Sequence, residues 1–270
     1  MNFSVLLSVY FKENAQYLDQ ALQSLVNQSM LPTEIVVVKD GPLTAPLDQV
    51  IDKFSSEFSG LFKIVTLSTN QGLGLALNEG LKCCSNEWVA RMDSDDICVP
   101  DRFEKQIHYI IQNPAITMLG GIIEEFSNQP GDISREKKVP IDYLQIKAFS
   151  KKRNPFNHPT VMFKKSTILS LGGYAHMLYF EDYYLWLKVI NSGYIVSNLD
   201  TVLLHFRVGN DMIGRRHGLA YANYEINFVR NGIKSNYFTF TEGLIFIVSR
   251  LPFRLLPKSV LSAIYKKLIR

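Results

Sequence analysis

Two short stretches carry residues whose types and spacing can do chemistry. The first is Ala90-Arg-Met-Asp-Ser-Asp-Asp96, which sets three carboxylates, Asp93, Asp95 and Asp96, directly after an apolar run. The second is Asp40, which ends the apolar run Glu34-Ile-Val-Val-Val38. Crowded carboxylates repel one another unless a cation joins them. A hard divalent ion with oxygen ligands, Mn²⁺ or Mg²⁺, suits such a group and commonly completes its shell with substrate phosphates. An Asp-x-Asp by itself also reads as a solvated turn or as helix-capping carboxylates. Its place directly after an apolar strand, in a sheet with Asp40, favours the ion.

That argument requires the apolar runs to be strands of one sheet. Ser4 to Tyr10, Glu34 to Val38, Phe62 to Leu67 and Trp88 to Met92 read as strands. Tyr17 to Val26, Leu47 to Phe58 and Gly74 to Cys84 read as the helices between them. Such alternation predicts a parallel, doubly wound sheet, whose ligands bind beyond the carboxyl ends of the strands. After residue 100 the alternation loosens. A helix over Asp101 to Gln112 begins near Pro100, and Thr117 to Ile123 is a strand. Residues 127–140 read as a polar excursion. Val161 to Phe163 and Val202 to Phe206 read as strands; Ser166 to Leu171, Asp182 to Asn191 and Leu219 to Val229 read as helices. Gly72-Leu-Gly74 is no dinucleotide fingerprint, because it follows the third strand and lacks the third glycine. No glycine follows the first strand, so a diphosphate would be held by metal and side chains.

The 270 residues suit one large α/β domain or one domain plus an appendage. Three cysteines, Cys83, Cys84 and Cys98, have no zinc-ligand spacing and argue against a disulfide framework. No signal peptide is read at the N-terminus, and no run of about 18 apolar residues is present to span a bilayer. The net charge of +4 is uneven: Arg250, Arg254, Lys258, Lys266, Lys267 and Arg270 crowd the last residues without an acid. This amphipathic, basic segment either lies on an anionic membrane surface or packs on the domain with a solvated face. No nucleic-acid recognition motif accompanies the charge.

Several motifs in order resemble family 2 of the inverting glycosyltransferases. They are the opening strand Ser4 to Tyr10, Gln28 to Asp40, Asn70-Gln-Gly-Leu73, Ala76-Leu-Asn-Glu-Gly80 and the aspartate motif. Gly172-Gly-Tyr174, Glu181-Asp-Tyr-Tyr-Leu-Trp186 and His205-Phe-Arg207 complete the series. The resemblance covers roughly residues 3–210 and is nearest to bacterial enzymes that extend lipid-linked O-antigen or capsule sugars. It implies a GT-A type fold, a single Rossmann-like mixed sheet flanked by helices, with a C-terminal helical appendage. Residues 1–100 would form the nucleotide-sugar half, 101–210 the acceptor half, and 211–270 a helical, basic, membrane-proximal segment.

The resemblance also implies roles. Asp40, Tyr10, Glu13, Asn70, Asn78, Arg91 and Asp93 would line the nucleotide-sugar site, with UDP as the expected nucleotide. Asp95, Asp93 and His205 would hold the metal. Asp182 would be the catalytic base, with Glu181, Trp186, His158 and Arg207 toward the acceptor. Lys39 and Pro42 depart from the small polar residues common beside that aspartate. On residue type alone, Trp186 stacks on a sugar or fills the core, His158 contacts the acceptor or makes a structural hydrogen bond, and His205 is a ligand or a satisfied core residue. Arg215, Arg216 and His217 face an acceptor diphosphate or form a solvated turn. The implied activity is hexosyl transfer from a UDP-sugar to a polyprenyl-diphosphate-linked saccharide, at the inner face of the cytoplasmic membrane. The competing readings are a catalytically silent sugar- or membrane-binding scaffold and a sugar-phosphate nucleotidyltransferase.

Overall fold

The computed structural model describes residues 1–133, 135–209 and 217–255. Four apolar runs form strands: β1 (Phe3–Val9), β2 (Glu34–Lys39), β3 (Phe62–Thr66) and β4 (Trp88–Arg91). Between them lie α1 (Ala15–Val26), α2 (Ala45–Glu57) and α3 (Leu73–Cys83). Asn14 starts α1 by accepting from the backbone N–H groups of Gln16 and Tyr17, which satisfies two otherwise orphaned donors. The four strands are parallel and lie in the order β3-β2-β1-β4. The chain therefore leaves β1 toward one side for β2 and reaches β4 on the other. This reversal opens a crevice at the carboxyl ends of β1 and β4, where the aspartate motif begins.

The second half turns the sheet mixed. β5 (Ile97–Cys98), α4 (Arg102–Gln112), β6 (Ile116–Phe126) and β7 (Arg135–Lys137) follow. Next come α5 (Tyr143–Phe149), a 3-10 turn over His158–Thr160, β8 (Met162–Lys164) and α6 (Lys165–Ser170). α7 (Glu181–Asn191) and β9 (Ile195–Arg207) complete this half. β8 is antiparallel to both β4 and β6, and β9 is parallel to β6 but antiparallel to β5. The carboxyl ends of β6 and β9 thus point the same way as those of β1 and β4.

Burial follows the pleat. Val5, Leu7 and Val9 of β1 face α1, α2 and α4, whereas Leu6 faces α3 and α7. A third core is aromatic. Tyr183 and Tyr184 of α7 pack against Phe228 of α8 (Gly218–Lys234) and Phe246 of α9 (Phe240–Val248). α10 (Leu251–Leu255) follows. The described part of the C-terminal segment is therefore packed on the domain.

Several elements differ from the reading of the sequence. The polar excursion contains β7, and β9 starts seven residues before the expected Val202. Ser197, Asn198 and Asp200 hid its first half, because polar side chains break the apolar run there. Two of them are buried and bonded: Ser197 Oγ donates to Ile141 O and Asn198 Nδ2 to Pro140 O. The helix after Pro100 begins at Arg102, and α5 had no expected counterpart.

Candidate active site

The turn after β4 is built around buried charge. Arg91 is 1% exposed, and its guanidinium holds Asp93 while Nε and Nη1 have no hydrogen-bond partner. Ser94 Oγ donates to Glu13 Oε2 at 2.8 Å, which ties the β1–α1 turn to this one. Asp96 is fully buried; its Oδ1 accepts from Arg207 N at 2.8 Å and its other oxygen has no partner. Burial, then the charges of Asp93 and Glu13, push Asp95 up to about 7. Burial, then Asp95 and Asp93, push Asp96 well above the usual carboxylate range.

This excess of negative charge is what a cation would relieve. Among the described residues, however, no three His, Cys, Asp or Glu side chains converge as a metal cage. Asp93 and Asp95 fit the smaller share of a coordination shell that phosphates and water complete. His205 does not join them. Its Nδ1 lies 2.8 Å from Glu124 Oε2, between strands β6 and β9.

Arg207 is likewise committed elsewhere. Its Nε donates to Asp95 O at 2.8 Å and its Nη2 to Gln20 Oε1 at 2.6 Å, and its guanidinium stacks 3.9 Å from the Tyr17 ring centre. It braces the aspartate turn through the Asp95 carbonyl. Arg102 does similar work by donating to Arg91 O at 2.8 Å.

Asp40 shapes the neighbouring loop. Its Oδ1 accepts from Gln71 N at 2.7 Å, and its Oδ2 from Gly72 N and Asn70 Nδ2 at 3.0 Å each. Gly41, at φ +82°, lies against this loop; a Cβ there would sit 2.6 Å from Asn70 N. Tyr10 ends β1 with its ring partly exposed beside Phe11.

The acceptor-side residues reach the same cleft through α3. Asn78 Nδ2 donates to Tyr174 O, and Asn78 Oδ1 accepts from Tyr174 N, both at 2.8 Å. These two hydrogen bonds fix the Gly172-Gly173-Tyr174 turn to α3. Asn78, expected to line the donor site, therefore joins the two halves. Gly74 also lets α3 approach closely: a Cβ there would meet the Cβ atoms of Glu181 and Tyr174 at 3.3 Å. Gln71, Gly72, Leu75, Ala175, Met177 and Glu181 line the cleft so formed.

Glu181 and Asp182 open α7. Asp182 Oδ2 accepts from Asn154 Nδ2 at 2.7 Å, and its Oδ1 from Tyr183 N at 2.7 Å. Glu181 is pushed up to about 7 by burial, then by Asp182, and its Oε2 is buried without a hydrogen-bond partner. Buried Tyr174 feels the charges of Arg91, Asp182, Asp93 and Glu181, so the aspartate turn and the α7 carboxylates share one electrostatic neighbourhood.

Two expected acceptor contacts lie behind this surface. Trp186 has no exposed area and packs edge-on against Phe156, His158 and Tyr174. His158 Nε2 lies 3.0 Å from Tyr174 Oη, and burial, then Arg91, pushes its pKa well below the usual value. Both fill the core that supports α7. Asn154, which orients Asp182, was not anticipated. Arg215 and Arg216, like Lys258 and the basic residues after it, lie outside the described residues. His217 precedes α8 as its N-cap.

Comparison with known proteins identifies the family and the fold. The family model described as glycosyl transferase family 2 matches residues 4–171. A UDP-Gal:alpha-D-GlcNAc-diphosphoundecaprenol beta-1,3-galactosyltransferase of Escherichia coli is 40% identical over 268 residues, covering 99% of this chain and 96% of the relative. An amylovoran biosynthesis glycosyltransferase of Erwinia amylovora is 40% identical over 265 residues, covering 98% of each. The fold is also that of a mannosyltransferase from Pyrobaculum calidifontis solved with GDP-Man and Mn²⁺. That structure superposes at a TM-score of 0.68 and 16% identity, over 98% of this chain and 75% of its own. With the family model spanning most of its length and relatives matching it end to end, this chain belongs to glycosyl transferase family 2 and is a glycosyltransferase.

Proposed function

We propose that the enzyme moves a hexose from a UDP-sugar to a hydroxyl of a polyprenyl-diphosphate-linked saccharide, with inversion, during surface polysaccharide synthesis. The observation that carries this reading is Asp182, held by Asn154 and its own helix start, in one electrostatic neighbourhood with Asp93 of the aspartate turn around buried Tyr174. An acceptor hydroxyl is a poor nucleophile, and a carboxylate within hydrogen-bond reach takes its proton as the new bond forms. The helix N-terminus favours the ionised form of that carboxylate. One base facing the sugar carbon opposite the leaving group gives direct displacement, so an α-linked donor yields a β-glycoside. Arg91 and Glu13 hold the aspartate turn in shape, and the loop set by Asp40 borders the nucleotide. Asp93 and Asp95 would hold Mn²⁺ or Mg²⁺, which when bound neutralises charge on the departing diphosphate.

The names of the relatives support the acceptor class, because the Escherichia coli enzyme uses a sugar carried on diphosphoundecaprenol. Such an acceptor sits in a membrane. No described helix is long and apolar enough to cross one. The enzyme would then work as a peripheral protein on the inner face of the cytoplasmic membrane, with its basic C-terminal segment toward anionic lipid. Residues 1–100 would serve the donor, 101–210 the acceptor and 211–270 the membrane.

A thermal-shift and hydrolysis screen with UDP-, GDP- and dTDP-sugars in Mn²⁺ tests the donor and the ion together. The expected outcome is stabilisation by UDP-sugars alone, abolished by EDTA and by Asp95→Ala. A shift of equal size in EDTA would contradict the metal site.

A further inference from the structure

The C-terminal helices expose a face that their own charges do not explain. Phe240, Leu244, Ile245 and Val248 of α9 are each more than half exposed, and Phe253 of α10 is 42% exposed. They recur at helical spacing and form one stripe with exposed Pro252. Among the exposed positions of this stretch only Thr241 and Ser249 are polar; Glu242 is drawn into the cap of α9 and Arg250 into its pair with Glu225. The opposite face of α9 is seated on α8: a Cβ at Gly243 would meet Ile233 and Val229 within 2.8 Å, and Phe246 is buried. The helix thus lies flat, with its other side turned outward.

Two basic residues expected to meet lipid are instead turned inward. Arg250 and Arg254 both pair with Glu225, which is 2% exposed. The outward charge comes from another segment. Lys152 and Arg153 are exposed and form no ion pair among the described residues. Their loop is clamped to the helices: Lys152 O accepts from Arg250, and Lys151 Nζ donates to Tyr237 O. The next residue is Asn154, whose side chain holds Asp182. One short loop therefore joins the apolar stripe to the candidate base.

We propose that the α9–α10 stripe inserts into the interface of an anionic phospholipid bilayer, with Lys152 and Arg153 at the headgroups. The proposal rests on the lipid-linked acceptor argued above. Apolar residues that bury in the acyl boundary, beside basic residues that meet anionic headgroups, are the two parts of an interfacial docking surface. Lys258, Lys266, Lys267 and Arg270, with no acid among them, follow the stripe in sequence and match the same surface charge. Docked this way, the protein presents Asp182 one loop away from the headgroups, where a diphosphate-linked sugar emerges.

The test is sedimentation of the full chain with vesicles of phosphatidylglycerol and phosphatidylethanolamine. Three proteins are compared: wild type, Leu244→Asp/Ile245→Asp and Lys152→Glu/Arg153→Glu. The apolar pair of substitutions is expected to weaken binding about tenfold or more. Binding by the wild type should persist in high salt, and the charge reversal should weaken it mainly at low salt. Thermal shift by UDP-sugar, and transfer to a short-chain, water-soluble acceptor analogue, should match wild type in the apolar variant. These readouts show that it is folded and separate a failure of docking from a failure of the proposed reaction. Equal vesicle binding by wild type and the Leu244/Ile245 variant would overturn the proposal. So would a dimer in solution that the same variant dissociates, or a wild type that binds vesicles only after residues 256–270 are removed.

Discussion

Asp182 and Glu181 are neighbours with opposite electrostatic tasks. Asp182 accepts hydrogen bonds from Asn154 Nδ2 and Tyr183 N, whereas Glu181 is half-buried with one unpartnered oxygen. Asp182→Asn should lower kcat by about 10²–10⁴-fold, the usual contribution of a general base, and leave donor binding in place. Steady-state kinetics with a parallel donor titration checks both parts. Asn154→Ala should lower kcat by about tenfold to a hundredfold with donor KM unchanged, because it removes orientation and not the base. Glu181 makes a prediction about pH. Its pKa is raised from 4.5 to about 7, so between these values the folded state keeps a proton that the unfolded chain has lost. Stability therefore falls as pH rises through that window. Glu181→Gln should raise Tm relative to wild type at about pH 8, with the gap closing near pH 5. Calorimetry showing a pH-independent gap would contradict the assignment.

Elements decide where these residues stand, and some of them were legible before the fold was known. β1 to β4 and their helices were readable because both faces of a parallel sheet are covered, leaving continuous apolar runs between amphipathic helices. The aspartate turn followed from that reading. β9 was only half legible, because Ser197 and Asn198 are buried polar residues satisfied by backbone carbonyls that are distant in sequence. The same long-range contacts set the surroundings of His158, Trp186, His205 and Arg207, which residue type alone does not show. Their residue types suit a site, but their partners are Tyr174, the α7 core, Glu124 and Gln20. Asn154 gave no signal, because only the fold brings it to Asp182.

Two substitutions test how elements hold the site. Gly173 has φ +65°, and a Cβ there would lie 2.3 Å from Asn78 Oδ1, within the pairing that joins α3 to the Gly-Gly-Tyr turn. Gly173→Ala should destabilise the protein by about 1–3 kcal/mol in urea unfolding, from backbone strain alone. Trp186→Ala should cost about 3–5 kcal/mol as a core cavity. Trp186→Phe should keep donor and acceptor KM near wild type, which a sugar-stacking residue would not allow.

For the whole molecule, one sheet positions the aspartate turn and the helices packed on it. The β1/β4 reversal places the aspartate turn, β6 and β9 extend the same edge, and α7 brings its carboxylates to it across α3. The C-terminal helices lock onto α7 through Tyr183, Phe228 and Phe246, so the proposed membrane contact and the candidate base belong to one packed unit. The most direct test of the central claim is product analysis. Purified enzyme, UDP-galactose and related UDP-hexoses, Mn²⁺ and a lipid-diphosphate-linked GlcNAc acceptor are combined, and the linkage formed is assigned by NMR. The account predicts one added hexose in β configuration, lost with EDTA and with Asp182→Asn. An α-linked product, or transfer that survives the loss of Asp182, would contradict it.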